Sequence, residues 1–77
     1  MKFPVDASQR DVLKAFNKLD FVVVRKGNHI ILERINNDGS VTPLVLPNHR
    51  TIKSSTLRTI LTQSGIERNE FIKAFYD

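Results

Sequence analysis

Three short hydrophobic runs separated by two tight turns constrain this chain more than any other feature. "FVVVR" (21–25) is β-branched and is followed by the turn "KGN" (26–28). "HIILER" (29–34) then leads into "NNDG" (36–39) and "VTPLVL" (41–46). Strands joined by turns this short pair antiparallel, because a parallel neighbour needs a crossover of a dozen or more residues. Asn-Asp-Gly is the strongest hairpin signal in the chain, and Gly27 is read as a turn residue free to adopt positive φ. Pro43 has no N–H to donate, which places the third strand at a sheet edge or a bulge.

The flanking segments have helical period. "SQRDVLKAFNKLD" (8–20) carries Val12, Phe16 and Leu19 at helical spacing with Leu13 alongside, and Arg10, Lys14 and Lys18 lie opposite. Ser8 before Asp11, and Asp6 before Gln9, are capping signals. "SSTLRTILTQSG" (54–65) aligns Leu57, Ile60 and Leu61 and ends at Gly65, a good helix-terminating residue. "ERNEFIKAFY" (67–76) offers Phe71, Ile72 and Phe75 to a core. The predicted fold is α+β: helix, three-stranded antiparallel sheet, helix, short C-terminal helix. Helices on one face of the sheet can bury all the apolar stripes together. Residues 1–77 read as a single domain with a modest core.

Several function classes drop out. The chain has no cysteine and only two histidines, so thiolate chemistry is impossible and a metal cage or other cofactor is not expected. No apolar run approaches the roughly 20 residues that span a bilayer, and the first ten residues lack a signal-peptide core. The expectation is a cytoplasmic protein with no membrane partner. Between Phe21 and Ile60 stand Arg25, Lys26, Arg34, Arg50, Lys53 and Arg58 against Glu33 and Asp38, and elsewhere the charges balance. The whole excess of +4 therefore lies in the strands, their loops and the next helix, which suits a polyanion such as nucleic acid.

Strand period adds a further expectation. If Ile30 and Leu32 point inward, then His29, Ile31 and Glu33 share the outer face. Phe21 to Val24 are apolar on both faces, so some apolar surface stays uncovered, and such patches commonly receive a partner. On residue type alone, His29 at the hairpin mouth is as ordinary as any polar turn residue.

Read together, "FVVVRKGNHIIL", "PNHRTIKSSTLRTILTQSGI" and "EFIKAF" closely resemble the HicA-type toxins, small ribonucleases of toxin–antitoxin pairs. The resemblance runs from about Asp11 to Phe75, and its most specific parts are Gly27-x-His29 and the stretch from Thr56 to Gly65. It implies a fold similar to a double-stranded-RNA-binding domain, an mRNA substrate and a cognate HicB-type antitoxin that caps the catalytic face. It also implies that His29 is the catalytic histidine, with Gly27 as the structural turn that supports it. The family commonly writes Gly-Ser-His, whereas Asn28 stands in the middle here. His49 falls where many members carry a histidine after Pro-x.

The chemistry can be stated independently. RNA carries its own nucleophile, the 2′-hydroxyl, so a small protein can cleave it without a metal. It must remove that proton and stabilise charge on the scissile phosphate. Imidazole suits the transfer because its unperturbed pKa of about 6.5 keeps both protonation states available near neutrality. Arg25, Lys26, Asn28, His49, Arg50 and Lys53 are the candidate phosphate or RNA contacts, with Arg58 a more remote one. Two other readings compete: a non-catalytic RNA-binding module of the same fold, and a helix-turn-helix DNA-binding unit over "TLRTILTQSGIERNEFIKAF" (56–75).

Overall fold

The computed structural model describes Met1 to Asp77 in full. In chain order the elements are β1 (Ala7–Ser8), α1 (Gln9–Lys18), β2 (Val22–Lys26), β3 (His29–Ile35), β4 (Val41–Pro47), β5 (Thr51–Ile52), α2 (Ser54–Ser64) and α3 (Arg68–Tyr76). The expected antiparallel sheet forms in the order β2-β3-β4, with β4 and its Pro43 at an edge, where a residue without an N–H is tolerated. No helix is long and apolar enough to cross a membrane.

One pairing was not foreseen. Ala7 and Ser8 pair antiparallel with Ile52 and Thr51, so the connection between the third strand of the sheet and the next helix contains a strand of its own. Two residues are too few to leave a periodic trace. Their ladder nevertheless ties the start of α1 to the chain just before α2.

Local chemistry explains the element ends. Ser8 is the N-cap of α1, its hydroxyl accepting from the Asp11 N–H at 3.1 Å, so the cap is Ser8 and not Asp6. Gly65 closes α2 in the left-handed region at φ 73°. In the β3–β4 turn, Gly39 takes φ 88°, and the Asp38 carboxylate accepts from the Ser40 hydroxyl and backbone N–H. Those hydrogen bonds hold the Asp38 carboxyl below its usual range.

All three helices lie on one side of the sheet, α2 against β4 and α3 against α1. Ile30, Leu32, Leu44 and Leu46 point into the core beneath Val12, Phe16, Leu57, Ile60 and Phe71. Phe16 is the hub, its ring 5.6 Å from Phe21 edge-on and 5.1 Å from Phe71. Burying each of these rings stabilises the fold by about 1.5–3 kcal/mol, which a domain with so small a core cannot spare. The opposite face has no helix over it. Val22, Ile35, Val41 and Val45 lie there, 52, 77, 50 and 41% exposed.

Candidate functional site

The register of β3 places His29 on the uncovered face, as expected, because its neighbour Ile30 is fully buried. His29 is paired with Pro47, so the segment that follows β4 begins directly beside it. A depression of about 260 Å³ at this end of the sheet is lined by Arg25, Gly27, Asn28, His29 and Ile31.

Arg25 reaches that face through an irregularity. Val22 pairs with Glu33 and Val23 with Leu32, but Arg25 pairs with Ile31 and Lys26 with Ile30, so Val24 is an extra residue in a β-bulge. Without the bulge, simple alternation would turn Arg25 toward the helices. With it, Arg25 shares the outer face with His29 and Ile31. Lys26 shares the inner side with Ile30 instead and does not line the His29 depression, so of these two candidate contacts only Arg25 stands beside the imidazole.

The other expected contacts are divided between two neighbouring depressions. His49 and Lys53 line one of about 240 Å³ with Pro47, Thr51, Ile52 and Thr56. It lies at the start of α2, where Lys53 is the N-cap, no side chain caps the helix and the first turn carries no acid. The open N–H groups and helix dipole make that end electropositive. Arg50 lines another of about 340 Å³ with Ser8, Gln9, Arg10 and Asn48. Arg58 lies over the Phe3 ring at 5.7 Å, as Arg68 does at 5.5 Å.

Two residues that the sequence did not single out as site candidates, Asn48 and Gln9, join these depressions. Asn48 donates from Nδ2 to the Gly27 carbonyl at 2.7 Å and from its backbone N–H to the Asn28 carbonyl at 3.4 Å. Its Oδ1 accepts from Gln9 Nε2 at 2.9 Å, and the same Gln9 amide reaches the His49 carbonyl at 2.9 Å. Pro-Asn in a loop signals local hydrogen bonding, but partners 21 and 39 positions away cannot be read from one sequence.

Gly27 departs from its expected role. Its φ lies outside the left-handed region, and a Cβ built on it meets nothing within 4 Å. The turn is closed instead by the Gly27 N–H donating to the His29 carbonyl at 3.0 Å and by Asn48.

The largest groove, about 360 Å³, lies elsewhere, between α1 and β2, and is lined by Leu13, Lys14, Asn17, Lys18, Phe21, Val23 and Leu32. It is lined by no histidine and no carboxylate. No group of three His, Cys, Asp or Glu side chains stands close enough to hold a metal ion. The helix-turn-helix alternative gains little, since α3 buries Phe71, Ile72 and Ala74 and turns Glu70 outward with Lys73.

Against known families, residues 9–66 match the one described as the HicA toxin of bacterial toxin–antitoxin systems. The chain belongs to the HicA toxins. The match takes in α1, the whole sheet and α2, and therefore every residue of the three polar depressions except Ser8. A search of curated proteins finds no match. As a HicA toxin, the chain is the toxin member of a toxin–antitoxin system, and an antitoxin is its partner.

Gly27→Ala tests the geometry of the turn. Alanine can adopt this backbone, so the variant is expected to keep its folding stability or gain about 0.4–1 kcal/mol through a less flexible unfolded chain. A chemical-denaturation midpoint well below wild type would show that the turn needs glycine after all.

Proposed function

We propose that this HicA toxin is an endoribonuclease that cleaves mRNA without a metal ion, with His29 carrying the proton transfer. The observation that carries the reading is the placement of an exposed imidazole on the helix-free face, in one depression with Arg25. In the proposed reaction the 2′-oxygen attacks the adjacent phosphorus as its proton passes to His29. The P–O5′ bond breaks, and the departing 5′-oxygen takes up a proton. The products are a 2′,3′-cyclic phosphate and a 5′-hydroxyl.

Arg25 stands where it can offset charge building on the phosphoryl oxygens. His49 and Lys53, at the uncapped start of α2, are suited to the next backbone phosphate, and Arg50 to a further one. Asn28, exposed at the turn tip with no intramolecular bond from its side-chain amide, and Lys26, exposed on the other side of the hairpin end, supply further RNA contacts. These interactions recognise backbone and shape more than base identity.

The antitoxin, on this reading, covers the outer face of the sheet. Val22, Val41 and Val45 form apolar surface there that no helix of the chain shields, continuous with the His29 end. A partner seated on that surface would exclude RNA from His29.

His29→Gln is expected to lower the cleavage rate about 10²- to 10⁴-fold while leaving RNA affinity near wild type. Cleavage as fast as wild type would remove His29 from the mechanism. RNA binding by the wild type with no cleavage at any ionic strength would leave a binding module. Val45→Lys places a charge in the middle of the apolar face, and antitoxin affinity is expected to fall about tenfold or more with RNA cleavage retained. Unchanged affinity in a binding titration would locate the antitoxin elsewhere.

A further inference from the structure

We infer that Asn48 is a positioning residue, a clamp that orders the turn presenting His29 and holds it in register with the His49–Arg50 loop and the start of α1. The inference rests on the proposed role of His29 for its catalytic consequence, although the clamp can be measured without it.

The turn has little else to hold it. It projects at the end of the β2–β3 hairpin, with every residue from Val22 to His29 exposed. Its one internal closing bond runs from the Gly27 N–H to the His29 carbonyl at 3.0 Å. Gly27 leaves the backbone permissive, so by itself this tip belongs among the easily opened parts of a fold.

Asn48 supplies the missing constraint. Its side chain uses both ends of the amide, donating to Gly27 O at 2.7 Å and accepting from Gln9 Nε2 at 2.9 Å, while its backbone N–H reaches Asn28 O at 3.4 Å. Gln9 in turn is fixed by its own N–H donating to Arg50 O at 2.8 Å and by its side chain on His49 O at 2.9 Å. An exposed amide ordinarily exchanges its partners with water. Here it joins three segments that are far apart in sequence, and those segments carry His29, His49 and Arg50.

The geometry asks for asparagine in particular. The group facing Gly27 O must donate and the group facing Gln9 Nε2 must accept, which a planar amide does at once. Aspartate could accept from Gln9 but would set a carboxylate against the Gly27 carbonyl. Alanine loses both bonds. Neither change touches the hydrophobic core.

The test compares wild type, Asn48→Ala, Gln9→Ala and the double variant, reading amide hydrogen exchange at Gly27, thermal midpoint and RNA cleavage kinetics. Asn48→Ala is expected to speed exchange at Gly27 at least about tenfold with little change in thermal midpoint. Its kcat is expected to fall by up to about 10²-fold, the scale set by a misplaced reacting group, with KM nearly unchanged. Gln9→Ala should reproduce part of both effects, and the double variant should add little to Asn48→Ala, since both residues act through one chain of bonds.

Unchanged exchange at Gly27 overturns the clamp. A raised KM with kcat intact also overturns it, by showing that Asn48 contacts RNA directly. If His29→Gln cleaves as fast as wild type, it is the proton-transfer role that fails. The clamp is then decided by exchange at Gly27 alone, faster exchange upholding it and unchanged exchange refuting it.

Discussion

The central strand can bury only every second side chain, and the rest of the molecule follows from which ones it buries. Ile30 and Leu32 take the inward positions, fully enclosed beneath the helices, so His29, Ile31 and Glu33 must face the other way. Leu44 and Leu46 impose the same choice on β4. With all three helices drawn to the inner face by Phe16 and Phe71, nothing in the chain covers the outer one. The imidazole and the apolar valines consequently share one surface. In the proposed function that coincidence lets one partner both shield the apolar face and silence the site.

Departures from regular geometry then furnish the site. The extra residue Val24 reverses the alternation of β2 and brings Arg25, in place of Lys26, onto the face of His29. The two-residue ladder between β1 and β5 brings the start of α1 against the loop that follows β4. Gln9 and Asn48 meet across that junction, and Asn48 reaches on to the hairpin turn. The candidate groups therefore come from four segments: the hairpin turn, the loop after β4 and the starts of α1 and α2.

Much of this was legible in the sequence, and the boundary has a physical cause. Short apolar runs and their turns pointed to the meander, Pro43 narrowed the third strand to an edge or a bulge, Ser8 or Asp6 marked the start of the first helix and Gly65 the end of the second, because each signal is local. Outward placement of His29 also followed from alternation once Ile30 and Leu32 were taken as inward. The bulge at Val24 could not be read, since three consecutive valines look the same in either register. Nor could the ladder of Ala7 and Ser8 with Ile52 and Thr51, or the hydrogen bonds of Asn48, which depend on where distant segments come to rest. Gly27 illustrates the opposite error: glycine permits positive φ, but this turn does not use it.

The end groups left by cleavage report most directly on the proposed proton transfer. Purified protein, freed of its antitoxin and incubated with a defined RNA in the presence of a chelator, should leave 5′-hydroxyl and 2′,3′-cyclic phosphate ends. A 2′-deoxy nucleotide at the cleavage position should block the cut. Products bearing 5′-phosphate, or cleavage of the 2′-deoxy substrate at the same rate, would contradict proton transfer from the 2′-hydroxyl to His29.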